Sequence, residues 1–105
     1  MALPPIRDAA QIQGKLADAS RLLEALANPR RLAVLCALAE GERSVGDLVG
    51  IVGLQQAALS QHLAKLRRAG IVATRRSAQM IYYRLDSPAA VAVVNTLAEI
   101  FCRED

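Results

Sequence analysis

Between Asp47 and Asp86 the chain has no acidic residue, yet that interval holds Lys65, Arg67, Arg68, Arg75, Arg76 and Arg84. The flanking acids include Glu24, Glu40, Glu42 and Asp47 on one side and Glu99, Glu104 and Asp105 on the other. A formal net charge of +3 therefore understates the local field. The interval contains a polar helical pattern, Leu59 to Gly70, that closes in basic residues and a stop glycine, which suits a polyphosphate partner. The other side chains with chemistry of their own are Cys36, Cys102 and the single histidine, His62.

Helical spacing separates the two sides of that segment. With Leu59, Leu63 and Leu66 turned to a core, Ala57, Gln61, Ala64 and Arg68 point nearly the opposite way, flanked by Ser60 and Lys65. Small side chains permit close approach to a major groove, Gln61 can pair with an adenine edge, and Lys65 or Arg68 can meet phosphates. Gln56 and Ser60, near the helix start, are further candidates for base edges. The plain alternative is a solvated basic surface. Against it stand the neighbouring helix, the acid-free field and a hairpin carrying Arg75, Arg76 and Gln79, all of which point to double-stranded DNA.

His62 alone is poor metal evidence, because a site needs three or four ligands, and packing between helices or contact with a phosphate is the expected role. The two cysteines close apolar helix faces, so composition by itself favours inert buried thiols. No glycine-rich phosphate loop, carboxylate pair or second histidine is present, so an enzyme is not expected, nor a cofactor.

These residues need a scaffold, and 105 residues allow one domain with one modest core. Ala, Leu and Val supply most of the 53% hydrophobic content, with Phe101, Tyr82 and Tyr83 the only aromatics, so packed helices are expected. After a loose start over residues 1–7, apolar spacing predicts a first helix from about Asp8 to Ala27, with a break near Ala19-Ser20. Asn28-Pro29 then caps a short helix, lined on one side by Leu32, Leu35, Cys36 and Leu38 and ending at Gly41. Residues 44–69 read as a helix-turn-helix, opened by Ser44 with Asp47 three residues on, turned at Gly53 and closed by Gly70. Alternation over 71–85, with a polar turn at Ser77-Ala78-Gln79, predicts a two-stranded wing with a basic rim. Residues 88–102 give a last helix carrying Val91, Val94, Leu97, Ala98 and Phe101. The expected fold is mainly α with a small β-hairpin, a single winged helix-turn-helix domain across 1–105. No secretory signal or long apolar span is evident, which places the protein in the cytoplasm, where thiols are kept reduced.

Four segments together, Leu26-Ala27-Asn28-Pro29-Arg30-Arg31-Leu32, Ser44-Val45-Gly46-Asp47-Leu48, Leu59-Ser60-Gln61-His62-Leu63 and Ala69-Gly70-Ile71-Val72, resemble the ArsR-type winged-helix repressors over about residues 16–102. The resemblance implies a homodimer formed through the first and last helices, with the second helix of the helix-turn-helix reading an operator. Many members bind metal through a Cys-x-Cys whose matching positions here are Ser44 and Gly46, and others through Asp and His on the last helix, where this chain has Ser87, Pro88 and no histidine. No metal site is implied. Cys36 and Cys102 instead resemble the thiol-sensing branch of the family, whose matching cysteines respond to reactive sulfur species or oxidants.

On that resemblance the chain is a repressor released from its operator when Cys36 and Cys102 are bridged. Arg103 beside Cys102 can favour the thiolate. A regulator with passive cysteines, an anti-repressor or activator, and a protein-interaction module without DNA are the competing readings. One departure is Gln55, where the family often has a serine that caps the recognition helix.

Overall fold

Three polar caps decide where helices of this chain begin. Asn28 Oδ1 accepts from the backbone N–H of Arg30 at 2.9 Å and of Arg31 at 3.2 Å, with Pro29 in the first turn. Ser44 Oγ accepts from Asp47 N–H at 3.1 Å while Ser44 N–H donates to Asp47 Oδ2 at 3.5 Å, a reciprocal capping box. Ser87 Oγ accepts from Ala90 N–H at 3.0 Å. In this computed structural model, which describes residues 2–102, the elements are α1 (Ala9–Ile12), a single 3-10 turn (Gln13–Lys15), α2 (Leu16–Leu26), α3 (Pro29–Leu38), β1 (Arg43–Ser44), α4 (Val45–Val52), α5 (Gln56–Arg68), β2 (Val72–Ser77), β3 (Met80–Leu85) and α6 (Pro88–Phe101).

The helix ends are equally specific. Gly53 (φ 78°) closes α4, and Gly70 (φ 75°) closes α5, its N–H donating to Arg67 O and that of Ile71 to Leu66 O, both at 3.0 Å. This pair of bonds reverses the chain and starts β2 at once. β2 and β3 pair antiparallel from Val72–Leu85 to Ser77–Met80, leaving Ala78 and Gln79 as the turn.

Two expectations need correction. The break in the N-terminal helix lies at Gln13–Lys15, around Gly14, and α2 runs unbroken through Ala19-Ser20, since glycine weakens a helix where alanine and serine do not interrupt it. The sheet has three strands in the order β1-β3-β2, because Arg43 and Ser44 pair with Tyr83 and Tyr82. A two-residue strand is too short to show alternation.

Leu48, Leu59, Leu63 and Leu66 have no exposed surface, and with Val34, Leu35, Leu38 and Ile71 they form a core between α3, α4, α5 and the base of the sheet. The terminal helices contribute little to it. Of α6 only Ala90 is buried, and of α2 only Ala25 and Leu26. Leu16 and Leu23 on α2, and Ile100 and Phe101 on α6, are exposed, Phe101 by 78%. The radius of gyration is 15.7 Å, against about 13 Å for a compact chain of this length.

Candidate nucleic-acid interface

The full burial of Leu59, Leu63 and Leu66 turns that side of α5 to the core and leaves Gln56, Ala57, Ser60, Gln61 and Arg68 exposed, with Ala64 and Lys65 half-buried. Two clefts run along this face. One, of about 370 Å³, is lined by Arg31, Gln61, His62, Ala64, Lys65 and Arg68. The other, of about 460 Å³, lies between Ser60, Ala64, Arg67 and Arg68 on α5 and Tyr83 on β3. The structure thus gathers Ser60, Gln61, Ala64, Lys65 and Arg68 on one ridge. Its start is uncapped by any side chain: Gln55 is extended, and only its backbone carbonyl takes part, accepting from Leu59 N–H at 3.0 Å.

Strand register sorts the wing residues. Arg76 pairs with Ile81 on the face that also carries Thr74 and Tyr83, and so looks toward the α5 cleft. Arg75 is on the opposite face with Tyr82. Its Nε donates to Glu42 Oε1 and Oε2 at 2.7 and 3.0 Å, and its guanidinium lies 4.8 Å from the Tyr82 ring centre. Arg76, Gln79 and Arg84 are exposed. Lys65 is also paired, its Nζ 3.2 Å from Glu24 Oε1. Acids outside the acid-free interval thus reach two of its cations.

Arg31 was not singled out by the sequence, because one arginine in a helix start carries no signal until its burial is known. It keeps 9% exposure, and its guanidinium donates to Ala25 O at 2.6 Å, Glu24 O at 3.1 Å and His62 Nδ1 at 3.4 Å. His62 is therefore a helix-packing residue. Burial, then the positive charges of Arg31 and Arg30, hold its pKa below the usual imidazole value.

The thiols are exposed, not core residues, which corrects the reading from composition. Cys36 is on the outer side of α3 while Val34, Leu35, Ala37 and Leu38 face the core. It borders a small apolar cleft of about 190 Å³ with Leu35, Ala39, Leu85, Val91, Val94 and Asn95. Cys102 follows the last turn of α6, its N–H bonded to Ala98 O at 2.8 Å. Arg103, its expected neighbour in charge, lies outside the described residues. Among the described residues no cluster of three His, Cys, Asp or Glu side chains is placed to hold a metal. No helix among them is long and apolar enough to cross a membrane.

Comparison with known proteins bears directly on this arrangement. Residues 28–74, from the cap of α3 into β2, match the family model of the bacterial regulatory proteins of the arsR family. The transcriptional activator HlyU of Vibrio cholerae is 45% identical over 93 residues, covering 89% of this chain and 86% of that one. The structure of reduced HlyU from that species superposes with a TM-score of 0.81 over 89% of this chain and 98% of that one. A biofilm growth-associated repressor of Xylella fastidiosa is 46% identical over 88 residues, covering 84% and 77% of the two chains. The transcriptional repressor BigR from the same species superposes with a TM-score of 0.85 at 42% identity, over 90% and 97%. A homodimeric winged helix-turn-helix DNA-binding domain from Mycobacterium bovis gives a TM-score of 0.73 at 32% identity, over 95% and 89%. The fold is a winged helix-turn-helix, and the relatives are regulators of transcription, not enzymes. The chain belongs to the ArsR family of bacterial regulatory proteins and is a DNA-binding transcriptional regulator.

Proposed function

We propose that the protein is a homodimeric repressor whose α5 enters the major groove of a two-fold operator, and that it is released when Cys36 and Cys102 are bridged by reactive sulfur species or an oxidant. The observation that carries the DNA reading is the exposed ridge of Ser60, Gln61 and Arg68, with half-buried Ala64 between them, over three fully buried leucines. Gln56, Ala57, Ser60 and Gln61 would face base edges, with Lys65, Arg68, Arg75, Arg76 and Gln79 at or near phosphates. The uncovered apolar faces of α2 and α6 support pairing of two copies, as does the homodimeric state of the Mycobacterium bovis relative. A dimer sets two α5 helices against half-sites about 34 Å apart.

The free, exposed state of both thiols supports the sensing reading. Cys36 looks onto α6 at Val91, Val94 and Asn95. Cys102 lies seven residues past Asn95, about 10 Å further along the helix axis. A bridge across this offset ties α3 to the end of α6 and so changes the spacing of the paired α5 helices. In the reaction one thiolate attacks a sulfane sulfur of a polysulfide, breaking an S–S bond and expelling the shortened polysulfide, to form a persulfide. The other thiolate then attacks that persulfide and expels hydrosulfide, leaving a disulfide, or a longer sulfur chain where more sulfur is retained. The name of HlyU as an activator favours a second reading, in which binding displaces another repressor.

Duplexes selected by the wild-type protein from a random library test both parts. Gln61→Ala with Arg68→Ala should abolish selective binding, and polysulfide should release the wild type but neither Cys36→Ser nor Cys102→Ser. Selective binding that survives the first pair of changes overturns the role of α5. Normal release of both serine variants overturns the sensing role.

A further inference from the structure

A buried arginine whose three donors reach two other helices constrains how those helices sit. Two arms of Arg31 end on the carbonyls of Glu24 and Ala25, in the last turn of α2, where the helix dipole is negative; Glu24 O also accepts from the Ala27 N–H at 3.3 Å. The third arm ends on His62 of α5. Glu24 also reaches α5 through its side chain, to Lys65 at 3.2 Å. His62 and Lys65 are three residues apart and so neighbours on one helix face. The C-terminal turn of α2 is therefore tied to α5 at two points one turn apart, at His62 through Arg31 of α3 and at Lys65 through Glu24, beside Gln61 and Arg68 in the same cleft.

We propose that Arg31 is a positioning residue for DNA recognition: through His62 it trims the roll of α5 against α2, and with it the aim of Ser60 and Gln61 at base edges. The proposal rests on α5 being the helix that reads bases. A roll of about 10° displaces a side chain at the rim of a helix of about 10 to 12 Å diameter by about 1 Å. Hydrogen bonds to base edges fail on that scale, since they tolerate donor–acceptor separations of only about 2.7 to 3.2 Å. Long flexible cations that meet phosphates follow such a movement. Loss of the clamp should therefore lower discrimination between sequences while leaving sequence-independent affinity in place. An arginine that merely stabilised the fold would give no such split.

The test compares affinity for an operator, selected from random duplexes by the wild-type protein, with affinity for a scrambled duplex of the same length at one salt concentration. His62→Leu should lower the operator-to-scramble ratio about 3- to 30-fold, the range by which residues outside an interface modulate coupling. Scrambled-duplex affinity should not change. His62→Gln, whose Oε1 can accept from Arg31, should keep the wild-type ratio. Arg31→Lys retains the charge, but its single nitrogen cannot span the three acceptors that Nε, Nη1 and Nη2 reach, so it should lower the ratio as His62→Leu does. If Arg31→Lys fails to fold, the two His62 variants decide. A wild-type ratio in His62→Leu, or a parallel loss of both affinities, overturns the proposal. If the wild type selects no sequence at all, the base-reading role of α5 fails first, and that failure is seen before any variant is made.

Discussion

Arg31 Nη1 lies 3.4 Å from His62 Nδ1, joining a buried cation on α3 to the one histidine of the chain on α5. A guanidinium can only donate, so Nδ1 holds a lone pair and the neutral imidazole carries its proton on Nε2. Burial, then Arg31 and Arg30, lower the His62 pKa; Lys65 and Arg68 share its cleft, and Glu24 across on α2 carries an opposing charge. Because the folded pKa lies below the unfolded one, the unfolded chain binds more protons as pH falls through about 6.5. Stability from this site is therefore constant above that pH and declines below it. Urea midpoints measured from about pH 7 to about 5.5 should fall further for the wild type than for His62→Gln. Parallel curves for the two proteins would remove His62 from the pH response.

The helix starts were legible because their signals are local. Asn28, Ser44 and Ser87 each act on an N–H two or three residues away. The face of α5 was legible because three leucines at helical spacing leave only one way to bury them. The third strand was not, since Arg43 and Ser44 gain their identity from Tyr83 and Tyr82, some forty residues later. Arg31 was illegible for the same reason: its partners sit six or seven residues back and thirty-one ahead. The exposure of Cys36 is not legible because α3 is apolar on more than one side, and spacing does not tell the core side from the outer one. The pairing of Arg75 with Glu42 also escaped notice, as charges distant in sequence meet only once the wing folds back.

Gln55 begins α5 without a side-chain cap although its backbone is extended, the conformation a capping residue adopts. Gln55→Ser should therefore stabilise the protein by about 1 kcal/mol, and Ser44→Ala, which removes one half of a formed capping box, should cost a similar amount. Chemical denaturation checks both. No gain from Gln55→Ser would mean that α5 does not begin at Gln56 in solution.

Leu63 and Phe101 are both large and apolar, yet 0% and 78% exposed. Leu63→Ala leaves a cavity between α5 and its neighbours and should cost about 2 to 5 kcal/mol. Phe101→Ser removes nothing from the core of one chain, so any effect should appear in association. Sedimentation across a dilution series should show the Phe101 variant dissociating at concentrations where the wild type stays paired. A variant that pairs as tightly as the wild type would place the dimer contact away from the end of α6.

Arg75 and Arg76 are adjacent but differ in electrostatic standing. Arg75 is held by both carboxylate oxygens of Glu42 and lies over Tyr82, whereas Arg76 is exposed on the sheet face that carries Tyr83. A cation that meets a phosphate displaces condensed counterions, and each such contact steepens the dependence of log affinity on log salt by about 0.9. Arg76→Ala should accordingly lower the slope by about one. Arg75 must exchange a carboxylate for the phosphate, so Arg75→Ala should change the slope much less. Glu42→Gln should strengthen binding at every salt concentration by freeing Arg75 without adding a positive residue. Affinities for one duplex measured over about 50 to 200 mM salt separate these outcomes. Equal slope losses for Arg75→Ala and Arg76→Ala would mean that the Glu42 pair opens before DNA arrives, and that the wing presents both cations alike.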